Sequence, residues 1–132
     1  MIRRRALYIT LALTTIAIGL VVHFGGGMLA PAIRDILGDA LWAAMIVWWV
    51  CALVPRARPL LRFGIAYAIC AAVETSQAFH TPMLDAIRAN RIGQLVLGSG
   101  FDPRDFLAYA IGIAAAALLD SMIRARAQPP RG

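Results

Sequence analysis

Between Ala6 and Ile33 the chain runs for 28 residues without a charged side chain. As one continuous helix that run would extend about 42 Å, and it exceeds the roughly 20 residues that a bilayer requires. It has room for a full membrane span plus a loop. The Gly25-Gly26-Gly27 triplet is expected to break it, leaving Ala6–Phe24 as a first helix. A cleaved secretory signal peptide is the rival reading, with Arg3-Arg4-Arg5 as its basic region. The apolar stretch is long for that role, however, and no convincing A-x-A cleavage site follows it.

Composition agrees with a membrane location. Of 132 residues, 61% are hydrophobic and 15% charged, against roughly 45–50% and 25% in ordinary soluble domains. Disorder is excluded, because it needs few apolar residues. Three further spans emerge if each tolerates embedded charge: Ile36–Val54 with Asp39, Leu60–Phe79 with Arg62 and Glu74, and Arg104–Ile123 with Asp105 and Asp120. A soluble four-helix bundle would need polar faces, and Phe106–Leu119 has none. The expected fold is therefore all-α, a single domain over residues 1–127 made of four transmembrane helices, with a short cytoplasmic tail over 128–132.

Thirteen Arg, no Lys and seven acids give a net charge of +6. With the N-terminus inside, nine Arg (3, 4, 5, 56, 58, 62, 124, 126, 131) fall on the cytoplasmic side and four (34, 88, 91, 104) outside. The positive-inside rule then places both termini in the cytoplasm and accounts for most of the charge without nucleic acid. Trp48 and Trp49 are candidate interfacial anchors or packing residues. Cys51 and Cys70 lie in apolar runs with no metal or disulfide spacing, and neither a metal nor another cofactor is expected.

Depth arithmetic locates the acids. At 1.5 Å per residue, Glu74 lies about 7 Å, Asp39 about 9 Å and Asp105 about 13 Å outward of the middle of their helices. Asp120 alone falls in the inner half, with Arg124 one turn away to answer it. Carboxylates at such depth face protein or a wet cavity, so an outward-facing polar pocket is expected. Spacing adds Tyr67, Cys70 and Gln77 to the Glu74 stripe, Asp35 and Trp42 to the Asp39 stripe, and Tyr109 and Gly112 to the Asp105 stripe. His23 and His80 end two helices at the same level, without the spacing of a metal site. Ala108, Gly112 and Ala116 form a small-residue ridge for close helix packing.

The longest outside segment, His80 to Pro103, reads as a short interfacial helix in which Met83, Leu84 and Ile87 oppose Asp85, Arg88 and Arg91. A Gly-rich apolar stretch, Ile92–Gly100, then re-enters over the pocket. Asp102 is expected to cap the last helix, with Pro103 at its first position.

Several short motifs occur together in order: Gly38-Asp39-Ala40-Leu41-Trp42-Ala43, Glu74-Thr75-Ser76-Gln77-Ala78-Phe79-His80, Leu84-Asp85, Arg88, Arg91-Ile92-Gly93, Leu97-Gly98, Gly100-Phe101, Asp105, Tyr109 and Gly112. Over roughly residues 19–120 the chain resembles a bacterial inner-membrane family of unknown function. Its members look related to VanZ, a membrane protein associated with teicoplanin resistance. Some members carry a "ribosomal maturation YjgA family" label that nothing in this membrane sequence supports. The wider VanZ-like pattern, E-x-x-Q, a loop Arg, then D-x-x-x-N-x-x-G, falls on Glu74, Gln77, Arg91, Asp105 and Gly112, with Tyr109 in place of the Asn.

Three functions fit these residues. The preferred one is a non-catalytic envelope protein that binds a lipid-linked or amphiphilic molecule in a pocket of Asp39, Glu74, Gln77, Arg88, Arg91, Asp105 and Tyr109, with Arg88 and Arg91 on an anionic head. The second is a membrane enzyme on such a lipid with Glu74 or Asp105 as general acid/base. The third is a proton-coupled carrier or channel subunit, whose four short helices would need a homo-oligomer. Glu74 itself either carries a proton or a cationic group, or forms a buried ion pair with Arg88 or Arg91.

Overall fold

The computed structural model describes residues 1–98 and 100–127; the tail expected over 128–132 lies outside the described residues. Six α-helices account for the fold: α1 Ile2–Gly25, α2 Pro31–Leu53, α3 Pro59–Gln77, α4 Pro82–Arg88, α5 Arg91–Leu97 and α6 Asp105–Arg126. No strand occurs among the described residues. The glycine triplet does end the first helix, through a 3₁₀ turn over Gly26–Met28. Proline opens α2, α3 and α4 in their first turns, where its missing N–H costs no hydrogen bond. Pro31 is why α2 starts ahead of the expected Ile36.

Helix α2 is the hub, packing on α1, α3 and α6, while α6 also packs on α3. The buried positions are mostly small: Ala12, Ala43, Ala66, Cys70, Ala108, Gly112 and Ala116. Small side chains let backbones approach, which is how helices gain contact when both their partners and their surroundings are apolar. Gly112 is obligatory in this seam, because a Cβ there would overlap the carbonyl of Ala40. The Ala108-Gly112-Ala116 ridge is thus the surface on which α6 meets α2. Large apolar side chains such as Leu13, Val21, Leu60, Leu107 and Leu118 point outward, whereas Arg62, Glu74 and Asp120 are buried. That arrangement inverts the one that water imposes.

Three helices are long and apolar enough to cross a membrane: the Ile2–Met28 segment, α2 and α6. They point to a membrane protein. Four were expected, and α3 is the difference. Its inner face carries Arg62, Glu74 and Gln77 beside Ala66 and Cys70, so polarity that the bundle hides counts against it in any measure based on composition.

Of the two roles open to Trp48, packing is the one it takes: it is buried with its ring 6.3 Å from that of Tyr8. Other expectations need correction. The short helix expected in the α3–α6 connection is present as α4, but the Gly-rich stretch after it is also largely helical, as α5, and this is where the connection departs from expectation. It is two short helices, α4 capped by Thr81 Oγ1 accepting the Leu84 N–H and α5 capped by Asn90 Oδ1 accepting the Gly93 N–H. Two such caps nine residues apart in sequence divide one apolar-edged segment into two. Asp102 does not cap α6. Its Oδ1 accepts the Arg104 N–H at 2.9 Å and its carbonyl accepts the Asp105 N–H at 3.0 Å, a tight turn that finishes before the helix begins at Asp105.

Adding a single methyl at the α2–α6 seam, Gly112→Ala, is expected to destabilise the bundle by about 1–3 kcal/mol through overpacking. Thermal unfolding in detergent would show a lowered midpoint; an unchanged midpoint would mean that the seam yields.

Candidate functional site

Two buried polar clusters lie at opposite ends of the bundle. At the first, Arg62 comes from the first turn of α3 and is wholly inaccessible to solvent. Its NH2 donates to Asp120 Oδ2 at 3.2 Å and its NH1 to Cys51 Sγ at 3.3 Å. The Tyr8 hydroxyl donates to Asp120 Oδ1 at 2.6 Å. Arg124, one turn along α6, places Nε 2.8 Å from Asp120 Oδ2. That Nε has no directed hydrogen bond, so the contact is electrostatic in character. One carboxylate therefore gathers two guanidiniums and a phenol from three helices around a thiol on the fourth.

The second cluster is organised by Glu74, which is fully buried in the last turns of α3. Tyr109 donates its hydroxyl to Oε2 at 2.7 Å and the Asp102 backbone N–H donates to Oε1 at 2.8 Å. Both oxygens are thus occupied by the protein, one tying α3 to α6 and the other fastening the turn before α6. Tyr109 packs its ring against Trp42 of α2 at 5.8 Å between centroids. Asp39 of α2 faces Asp105 of α6, with Glu74 close enough to act on both. Asp39, Glu74 and Asp105 form no ion pair among the described residues.

Arg88 is committed elsewhere. Its side chain, 8% exposed, donates to the carbonyls of Ser76 at 2.8 Å and Phe79 at 3.0 Å. These acceptors lie at and just beyond the C-terminal end of α3, where helix carbonyls lack internal partners and favour a cation. Arg91 is exposed, with no hydrogen bond or ion pair among the described residues. Neither arginine pairs with Glu74. Gln77 is buried against Gly98, whose φ of +68° and lack of a side chain both matter, because a Cβ there would collide with the Gln77 amide.

Of the candidates read from sequence, Asp39, Glu74, Asp105 and Tyr109 come together, Gln77 backs the loop, and Arg88 and Arg91 sit on the loop itself. Tyr67, expected on the Glu74 stripe, is 37% exposed. Asp35 and His23 are exposed, and exposed His80 lies 3.2 Å from Asp85. Asp102, outside the helices, has its carboxyl held below the usual range because it accepts the Arg104 N–H. No group of three His, Cys, Asp or Glu could hold a metal among the described residues.

The Tyr8–Arg62–Asp120 cluster went largely unread. Its signal was available: Arg62 stands inside its expected helix whereas Arg56 and Arg58 precede it, and Asp120 falls near the matching end of α6. Asp120→Asn leaves buried Arg62 and half-buried Arg124 without their countercharge, and a loss of about 3–5 kcal/mol is expected. Tyr109→Phe leaves one Glu74 oxygen unsatisfied and should cost about 1–3 kcal/mol. Chemical unfolding of both variants beside the wild type measures the two; a smaller effect for Asp120→Asn than for Tyr109→Phe would reverse this ranking of the clusters.

Comparison with known proteins gives no link to VanZ, and no solved structure matches the chain. Residues 28–113 match the family described as "Protein of unknown function (DUF2809)", and since that is well over half of the sequence, the chain belongs to this family.

Proposed function

We propose that this is a non-catalytic protein of the bacterial cytoplasmic membrane that binds a lipid-linked or amphiphilic molecule at its extracytoplasmic end. The excess of arginine at the Arg62 end supports a cytoplasmic location for both termini. In this reading α3 also passes through the bilayer, its charges turned into the bundle where they cost least. The VanZ-like character belongs to the same reading and rests on the order of the short motifs.

The facing carboxyls of Asp39 and Asp105 carry the ligand assignment. Glu74 beside them has both oxygens filled by the protein, so the oxygens left for a ligand are those of Asp39 and Asp105 that do not face each other, half-buried next to Trp42 and Tyr109. Acceptors without cations suit a headgroup rich in donors, such as sugar hydroxyls or an amine. Met83, Ile87, Ile92 and Val96 give α4 and α5 an exposed apolar edge for the ligand's apolar part. Exposed Arg91 can meet a phosphate at the rim, a role that Arg88, bound to backbone, cannot fill.

Native mass spectrometry of the purified protein tests this. A discrete co-purifying adduct is expected on the wild type, and Asp39→Asn should reduce its retention roughly tenfold, the worth of one charged hydrogen bond, without lowering the unfolding midpoint. An adduct retained equally by Asp39→Asn, or none on the wild type, would remove the assignment.

A further inference from the structure

The Arg62 end holds a second surface, unrelated to the carboxyl site. A cavity of about 480 Å³ opens there between the start of α1, the α2–α3 turn and the last turns of α6, and Arg4, Arg56, Arg58 and Arg124 line it. None of its lining residues among those described is acidic. Arg124 has its carboxylate in Asp120, which it shares with Arg62. Arg4, Arg56 and Arg58 form no ion pair among the described residues. The Nε of Arg62 is buried without a hydrogen-bond partner among the described residues. Positive charge from three elements therefore converges on one space with a deficit of anion, and the N-terminal end of the α3 dipole adds to it.

An apolar groove of about 480 Å³ adjoins this cavity, lined by Arg58, Leu60, Leu61, Gly64, Ile65 and Ala68. Arg58 is common to both, so the groove leads from the basic cavity along α3. At Gly64 a Cβ would meet nothing within 4 Å, which leaves the groove open where a side chain would fill it. A cluster of arginines suits a phosphodiester; an open apolar groove beside it suits an acyl chain.

We propose that this end binds one anionic phospholipid, with its phosphate among Arg56, Arg58 and Arg124 and an acyl chain along Leu60, Leu61, Gly64 and Ala68. The arginines supply the preference for net negative charge, and the groove separates a lipid from a soluble phosphate compound.

Arg56 and Arg58 are exposed and unpaired among the described residues, so replacing both by Ala leaves the buried cluster in place. Native mass spectrometry of the full chain, titrated with phosphatidylglycerol or with phosphatidylcholine, reads the affinities. The double variant should bind phosphatidylglycerol roughly thirty-fold more weakly, with phosphatidylcholine unaffected. Gly64→Phe fills the groove and should weaken phosphatidylglycerol about tenfold, the worth of roughly two buried methylenes. Equal binding of the two lipids by the wild type overturns the proposal, as does a double variant that binds phosphatidylglycerol normally. If glycerol phosphate competes as well as the lipid and Gly64→Phe changes nothing, the cavity takes a soluble phosphate and the phospholipid assignment falls. Asp39→Asn should keep phosphatidylglycerol binding intact, so this test stands apart from that of the carboxyl site.

Discussion

A guanidinium that no solvent reaches must find its countercharge inside the protein, and Arg62 makes that demand on the whole bundle. Its carboxylate is on α6, a phenol on α1 shares that carboxylate, and a thiol on α2 takes another of its N–H groups. Buried ion pairs add little net stability, because desolvating the charges offsets most of their attraction. They act instead on register. Helices coated with leucine and alanine slide past one another at small cost in an apolar medium. A cluster that is satisfied at one depth and broken a turn away fixes the slide. Glu74, held by Tyr109 and by the Asp102 N–H, does the same at the other end. Two polar ties, one near each end of α3, set its height against α6.

Much of this architecture was legible in hydropathy alone, and what escaped did so for physical reasons. The uncharged run from Ala6, the break at the glycine triplet and the small-residue ridge of α6 all follow from side-chain size and charge read along one dimension. α3 resisted because its inner face is polar, and composition does not know which face is inner. Glu74 was found by depth, but its partners were not. Arg88 and Arg91 are close in sequence and chemically apt, while the real donors are a phenol 35 positions away and a backbone N–H. Backbone groups carry no sequence signal. Arg88 was claimed by the carbonyls at the end of its neighbouring helix, a local competition that counting charges does not register.

The loop that carries Arg88 shows how few residues decide such outcomes. Thr81 and Asn90 each cap a seven-residue helix, Arg88 fastens the first of them to α3, and Gly98 lets the second stop against Gln77. Seven-residue helices are too short to persist alone. Their order comes from these attachments, so the segment over the carboxyl end is held by hydrogen bonds at its edges and leaves its apolar side chains Met83, Ile87, Ile92 and Val96 uncovered.

The net charge of +6 therefore hides a polarity along the bundle axis. At one end Asp39, Glu74 and Asp105 have no ion pair among the described residues; at the other Arg62 and Arg124 share one carboxylate, and Arg4, Arg56 and Arg58 have none among those residues. Packing does not require this separation, since moving one arginine to the Asp39–Asp105 pair would relieve both ends at once. An axis of unrelieved charge fits a protein whose two ends meet different chemistry, donors of hydrogen bonds at the carboxyl end and phosphates at the arginine end. The two proposed sites then share one physical origin: each is the place where the bundle leaves its own charge for something outside the chain to answer.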